Sequence, residues 1–206
     1  MTIGAEVRDV TVAVVNPRLL YAEAGLFYTQ NPGNKQVRRI NPYTGAVVNV
    51  VTLTVFLDAM TPAEGVIVAA QLSSANVALR DPRSLAALRT IAGPGTAARG
   101  LAWDGHTLWL ADVDTDLIYQ LDPLAGTVLR SFAAPSGDIG DLAWDGATLW
   151  ASDTVAGLIY QLDPYTGAVI RSFAAPASQC TGLAWVEGSL WVLDAGVDHL
   201  RQLSLN

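Results

Sequence analysis

The tripeptide Leu-Ala-Trp stands at residues 101, 142 and 183, and the two intervals are equal. Leu101–Pro135 and Leu142–Pro176 are identical at 24 of 35 positions without a gap. The third copy keeps Leu183-Ala184-Trp185, Leu190-Trp191, Asp194 and Gln202-Leu203. One period back from Leu101 lies a worn copy, with Ile67 in place of Leu108 and Asp81-Pro82 in place of Asp122-Pro123. A further step back finds Leu19, Tyr21 for the tryptophan, Leu26-Phe27 for Leu-Trp, and Asn41-Pro42-Tyr43-Thr44-Gly45. The last of these matches Asp163-Pro164-Tyr165-Thr166-Gly167. Five such units account for essentially all 206 residues. One unit of this length cannot cover its own apolar faces, so copies must stack on one another.

Each unit reads as four strands. Gly-Leu-Ala-Trp is a short apolar run closed by Asp104-Gly105 or Asp145-Gly146, a tight-turn signal. Thr107–Ala111 and Leu117–Leu121 follow, the latter carrying strand-favouring Ile118 and Tyr119. In Asp-Pro-x-x-Gly, proline sets one φ and glycine accepts a positive one; Val128–Phe132 is then the fourth strand. No window holds a 3.6-residue apolar period, so no helix is expected. Four strands recurring at this fixed period predict an all-β, five-bladed β-propeller with antiparallel blades at 18–53, 59–92, 100–134, 141–175 and 182–206. The last blade lacks a fourth strand, and Gly4–Val10 lines up with Gly167–Phe173. Residues 4–11 are therefore expected to complete that blade and close the ring, which removes an open seam. The unbroken repeat predicts a single domain.

Hydrophobic residues make up 51% and charged residues 15% of the chain, as sheets covered on both faces require. The longest apolar stretch, Ala46–Leu57, is interrupted by Asn49 and Thr52 and is too short to span a bilayer. No basic segment precedes an apolar one near residue 1, so no signal peptide is expected in this chain. The net charge of −7, with 19 acids against 12 bases and Lys35 as the one lysine, argues against broad nucleic-acid or anionic-membrane binding. Cys180 is alone, which rules out an internal disulfide and reads as a small apolar loop residue.

Propeller geometry sorts the motifs onto two faces. First strands line the channel, so the loops before them share one rim, the front, with the loops between second and third strands. The Trp-Asp-Gly and Asp-Pro-x-x-Gly turns fall on the rear. Features present in nearly every blade are structural by this logic, and all six tryptophans are assigned to blade packing. Features that break the repeat are better functional candidates. The residue closing the second strand is Gln30, Gln71, Asp112, Asp153 and Asp194 in turn, a partial ring at the channel mouth. Clustered oxygen donors suit Ca²⁺ or another divalent cation, with Asp112, Asp153 and Asp194 as ligands, or a polyhydroxylated molecule. The competing expectation is that each aspartate caps its own loop.

The loops leading into the first strands break the repeat most, with Asp58, Arg99, Asp138, Asp141 and Gln179-Cys180-Thr181. A mixed Arg and Asp rim can orient a small polar ligand or a protein partner. Asp112-Val113-Asp114-Thr115-Asp116 starts like an EF-hand loop but has Leu117 at the required glycine and Pro123 at the closing glutamate. His199 neighbours Asp198, yet adjacent strand residues point to opposite faces. No nucleophile elbow or phosphate loop is present, and no catalytic residue is assigned. A monomer or weak oligomer is expected.

The unit Leu-Ala-Trp-Asp-Gly, Leu-Trp, Ile-Tyr-Gln-Leu-Asp-Pro-x-x-Gly-x-Val resembles the blades of bacterial propellers of the YVTN and NHL groups. It is also similar to the glutamine cyclotransferase family. The resemblance spans nearly the whole chain and is strongest over 100–206. WD-repeat proteins carry Trp-Asp at the end of the third strand, whereas Trp103-Asp104 ends the first. Resemblance to glutamine cyclotransferases implies five blades and acidic residues at the channel mouth that convert an N-terminal glutamine to pyroglutamate. The family's Asn-Glu-Leu-Glu-type motif has no counterpart in Arg99-Gly100-Leu101-Ala102, Gly140-Asp141-Leu142-Ala143 or Thr181-Gly182-Leu183-Ala184. The leading expectation is a non-catalytic binding or scaffold propeller using the front rim. The alternative is an enzyme of glutamine cyclotransferase type, or a metal-assisted hydrolase.

Overall fold

The computed structural model describes residues 4, 6–12, 18–23, 25–31, 33–71, 74–177 and 179–205. Ala5, within the predicted closing strand, and Asn206, at the end of the predicted last blade, lie outside the described residues. Among those described, twenty strands form five four-stranded antiparallel sheets. The chain opens with β1 (Glu6–Thr11). Blade 1 is β2 (Arg18–Glu23), β3 (Leu26–Asn31), β4 (Gln36–Ile40) and β5 (Val47–Thr52). Blade 2 is β6 (Ala59–Ala63), β7 (Val66–Ala70), β8 (Asn76–Arg80) and β9 (Ala87–Ala92). Blade 3 is β10 (Ala98–Trp103), β11 (Leu108–Asp112), β12 (Leu117–Leu121) and β13 (Val128–Ala133). Blade 4 is β14 (Ile139–Trp144), β15 (Leu149–Asp153), β16 (Leu158–Leu162) and β17 (Val169–Ala174). Blade 5 is β18 (Cys180–Val186), β19 (Ser189–Asp194) and β20 (His199–Leu203), with β1 as its outer strand. The first strands touch one another in a closed cycle, β2 to β6, β10, β14, β18 and back to β2, and so surround the central channel.

The rear turns show why these residues stop one strand and start the next. Asp104 accepts the backbone N–H of His106 at 2.8 Å and Thr107 at 2.6 Å, and its other oxygen takes the Thr107 hydroxyl and the Trp109 indole N–H at 3.0 Å. Asp145 repeats this with Ala147, Thr148 and Trp150. One carboxylate thus ends the first strand, shapes the turn and satisfies a buried indole. In the second turn Asp122 accepts Leu124 and Ala125 N–H, and Asp163 accepts Tyr165 and Thr166, the Asx arrangement expected of these residues.

The apolar core is divided among the five blade boundaries. Val37, Leu57, Ile67 and Leu85 fill the first, Leu101, Leu108, Val68 and Ile91 the second, and Trp109, Ile118, Leu142 and Leu149 the third. Trp150, Ile159, Leu183 and Val192 fill the fourth, and Val10, Phe27, Trp191 and Leu200 the fifth. Each boundary is also latched by an arginine at the rear. Arg39 donates to the carbonyls of Pro82 at 2.6 Å and Arg83 at 2.9 Å, and Arg89 donates to Leu124 at 2.6 Å. Arg130 donates to Pro164 at 3.3 Å and Arg171 to Leu205 at 3.2 Å. Arg8 completes the set by lying over the Tyr43 ring, 4.9 Å from its centroid. Charge-assisted bonds of this type are stronger than neutral ones, and they tie β4, β9, β13 and β17 each to the following blade.

β1 pairs with β20 from Glu6 opposite Leu203 to Thr11 opposite His199. Val10 and Val12 enter the fifth boundary core, while polar groups bind across the strands. Asp9 holds His199 Nδ1 at 2.6 Å, Thr11 meets His199 Nε2 at 3.1 Å, and Glu6 holds Arg201 at 2.6 Å. His199 therefore pairs with Asp9 and Thr11, brought to it from the other end of the sequence. At Gly45, where φ is +71°, an added Cβ would collide with the Thr11 carbonyl oxygen. The turn of blade 1 needs glycine because the closing strand runs hard against it.

Blade 1 corrects one alignment. Tyr21 pairs with Tyr28 and Glu23 with Leu26, whereas Trp103 pairs with Leu108. Glu23, not Tyr21, thus occupies the tryptophan position. Only two residues separate Glu23 from Leu26, against four between Trp103 and Leu108, so a fixed period misplaces everything before that connection in the blade.

Candidate functional site

The front mouth of the channel is built by a recurrent bulge. In β10 the ladder pairs Ala98 with Asp112 and Gly100 with Ala111, skipping Arg99. β14 skips Gly140 between Ile139 and Asp141, and β18 skips Thr181 between Cys180 and Gly182. A bulge leaves one residue unpaired and re-aims its side chain, here at the start of a channel-lining strand. Asp58 holds the same repeat position directly before β6. These four positions converge with Thr154 on one cavity of about 40 Å³. A cavity of this size has room for water or for a small functional group of a ligand. Asp58, Arg99 and Thr181 are half-buried. Among the described residues Arg99 has no hydrogen-bond or ion-pair partner.

The other residues singled out from the sequence lie close by but are turned to their own strands and loops. Asp112 is buried and accepts N–H groups from Ala97 at 2.8 Å, Asp114 at 3.1 Å and Thr115 at 3.0 Å. Asp153 is buried and accepts Val155 and Ala156. Asp194 accepts Gln179 and Gly196 and sits 3.4 Å from Arg201. Gln30 is buried, and its Oε1 accepts Leu57 N–H from the loop entering blade 2 at 2.7 Å; Gln71 is half-buried. Asp141 is buried between first strands, accepting its neighbour Leu142 N–H at 2.8 Å and Leu183 N–H of blade 5 at 2.9 Å. Its carboxylate staples two blades and does not line the 40 Å³ cavity.

Among the described residues no three His, Cys, Asp or Glu side chains form a group able to hold a metal ion. Asp112, Asp153 and Asp194 each already accept backbone N–H groups of their own loops, and Asp194 also meets Arg201. Calorimetric titration with Ca²⁺ is therefore expected to give no specific heat and no shift in thermal midpoint. A saturable heat that is lost in the Asp153→Asn, Asp194→Asn double variant would instead assign these carboxylates to a cation. Cys180 opens β18 rather than lying in a loop, and burial pushes its thiol up to about 12, which leaves it unreactive.

The tryptophans divide into two sets. Trp109, Trp150 and Trp191 are buried packing residues. Trp103, Trp144 and Trp185 are half-buried and line a rear-mouth cavity of about 110 Å³ with Pro62 and Met60. The carboxylates displaced from their ordinary range are Asp81, Asp104, Asp122, Asp145 and Asp163, all lowered. For Asp104 and Asp145 burial pushes the value up, and the turn's hydrogen bonds outweigh it. All five lie in rear turns, which marks them as structural anchors of the repeat.

The fold and its closed ring define a five-bladed β-propeller with a small polar mouth on the front and an aromatic mouth on the rear. Among solved structures the chain is similar to a glutaminyl cyclase from Myxococcus xanthus, with a TM-score of 0.84 and 14% identity over 98% of this chain and 96% of that one. It is also similar to the WD40 propeller domain of Doa1, with a TM-score of 0.62 and 14% identity over 91% of this chain and 63% of the other. A chain of a mitotic checkpoint complex matches with a TM-score of 0.59 and 17% identity, over 93% and 62%. Identities this low carry the fold alone. No protein-family model matches the sequence, and no curated protein sequence matches it. No helix among the described residues is long and apolar enough to cross a membrane.

Proposed function

We propose that this propeller is a binding module whose ligand enters the front mouth and anchors a carboxylate or other anionic group on Arg99. The observation that carries this reading is the convergence of Asp58, Arg99, Gly140 and Thr181, four different residues at one repeat position, on a single cavity. Even blades 3 and 4, which are alike at 24 of 35 positions from their Leu-Ala-Trp onward, differ here, with Arg99 in one and Gly140 in the other. Arg99 offers a planar donor set suited to a carboxylate, and Thr154 and Thr181 supply hydroxyls beside it. Asp58 rejects a second negative charge and favours a neighbouring amine or hydroxyl.

The test is a thermal-shift and calorimetric survey with small carboxylates (acetate, lactate, malate, glutamate). At least one is expected to bind the wild type. Arg99→Ala should lose roughly 10- to 100-fold in affinity, the value of a charge-assisted hydrogen bond, while its own stability stays near wild type. If none binds, or if Arg99→Ala binds equally well, the reading fails.

A second reading is favoured by the likeness to the glutaminyl cyclase, which spans 96% of that chain. Here the α-amine of an N-terminal glutamine would attack its side-chain amide carbon and expel ammonia, with Asp58 moving the proton. Incubation with a glutaminyl peptide would then release ammonia in the wild type and not in Asp58→Asn. Under the binding reading neither protein releases it.

A further inference from the structure

The rear end of the channel is walled by first strands. Trp103, Trp144 and Trp185 stand at equivalent places near the ends of β10, β14 and β18, and all three line the cavity of about 110 Å³. Pro62 pairs with Ile67 as Trp103 pairs with Leu108, so it holds the same position in blade 2. These three indoles are half-buried, whereas Trp109, Trp150 and Trp191 are closed off in the blade boundaries. Trp185 stacks on Trp150, with centroids 6.3 Å apart and planes 10° from parallel, which fixes its orientation. Among the described residues no charged side chain lines this cavity. Thr61 is also on its wall. It is only 5% exposed, and its hydroxyl has no hydrogen-bond partner among the described residues.

Charge of one sign surrounds this apolar wall. The five turns that follow the first strands carry Glu64, Asp104, Asp145 and Glu187, and no lysine or arginine. Asp104 and Asp145 directly follow Trp103 and Trp144 and stay ionised, since the hydrogen bonds of their turns outweigh the effect of burial. The arginines that latch the blades lie on third and outer strands and donate to backbone carbonyls. Carboxylates grouped at a mouth draw cations toward it. Indole rings attract a cation through the negative face of the π-system. A primary ammonium is strongly hydrated and needs acceptors that this wall lacks. A quaternary ammonium has no N–H to satisfy, and its methyl groups suit an apolar surround.

We propose that the rear mouth binds a trimethylammonium group, seated among Trp103, Trp144 and Trp185, with the ligand's polar tail within reach of the Thr61 hydroxyl. The site lies at the opposite end of the channel from Arg99 and takes the opposite charge, so neither reading depends on the other.

The test is a titration of uniformly ¹⁵N-labelled protein with three alcohols that differ in the head group, followed through the six indole N–H signals. Choline carries the trimethylammonium, 3,3-dimethylbutan-1-ol its neutral carbon counterpart, and ethanolamine a primary ammonium. Choline is expected to shift the Trp103, Trp144 and Trp185 signals saturably in the millimolar range, while Trp191, buried between blades 5 and 1, stays in place. The other two alcohols should bind roughly tenfold more weakly or not at all. Blocked trimethyllysine, titrated alongside, identifies the source: tighter binding than choline assigns the group to a methylated polypeptide, and weaker binding to a small molecule. Trp103→Leu should weaken choline by roughly tenfold while the Trp150 and Trp191 signals report intact blades, and Trp144→Leu repeats the reading from the next blade. Absence of any shift with choline and with trimethyllysine overturns the proposal. An equal response to either control alcohol overturns it as well, as does a full choline response in both folded variants.

Discussion

Deleting residues 1–11 is expected to lower the thermal midpoint by roughly 10 °C or more and to convert the protein to a self-associating form. The magnitude follows from what leaves. Val10 is buried within β1, and removing its strand also uncovers Val12 at the boundary with Phe27 and Trp191. Burial of a valine is worth about 1.5–3 kcal/mol, and each kcal/mol moves the midpoint of a chain this size by about 2–4 °C. The cross-strand bonds of Asp9 with His199 and Glu6 with Arg201 go as well. They are partly exposed and add little individually. Self-association follows as well, because β20 becomes an unpaired edge. A calorimetric scan with light scattering checks both parts. An unchanged melt from a monomeric species would mean that blade 5 is stable with three strands.

Much of this architecture is legible in the sequence, and the reason is repetition. A strict period averages out local ambiguity, so Asp-Gly and Asp-Pro turns that would each be weak signals alone become strong in register. The closing strand is legible for the same reason, since Gly4–Val10 carries the Gly-x-x-x-Arg pattern of the turn and strand at Gly167–Arg171. The arginine latches are not, although Arg89, Arg130 and Arg171 recur at the repeat period. Their role depends on which blade the outer strand leans toward, and that is a three-dimensional fact. Tyr21 is misplaced by the repeat because a shortened turn is invisible to a fixed period.

At the front mouth, residue type predicts location better than availability. Asp112, Asp153 and Asp194 do end their second strands near the channel, but an aspartate followed by a loop is surrounded by backbone N–H donors, and these claim it. Arg99 stands apart because no acceptor among the described residues does so. The bulge that frees its side chain comes from a ladder register, which one strand's sequence does not encode. His199 shows the complementary limit. Its neighbour Asp198 is the partner visible in the sequence, whereas Asp9 reaches it only through the pairing of β1 with β20.

The second large effect concerns Asp145, the rear-turn carboxylate of blade 4. Asp145→Ala is expected to cost roughly 3 kcal/mol, because it strands several donors at once and an unmet buried donor costs about 1–3 kcal/mol. Four donors depend on it: Ala147 N–H, Thr148 N–H, the Thr148 hydroxyl and the Trp150 indole N–H. The two backbone donors can turn to water, whereas Trp150 is fully buried and cannot. The midpoint should therefore fall by roughly 6–12 °C. Acid provides an independent reading of the same contact. Burial raises the Asp145 carboxyl, the hydrogen bonds from Thr148, Ala147 and Trp150 together lower it by more, and the net displacement is downward from 3.8. A depressed folded value means that the stabilisation is complete above the unfolded value, near pH 4, and is lost as pH falls through the folded one. In Asp145→Asn the amide keeps one oxygen for the turn but sets an N–H₂ donor against the indole donor, and it does not titrate. The stability gap between wild type and Asp145→Asn should be constant above about pH 5 and narrow steadily below about pH 4. Urea unfolding at a series of pH values measures this directly. A gap that stays constant into strong acid would mean that the Asp145 carboxylate is not the acceptor that holds Trp150 in the core.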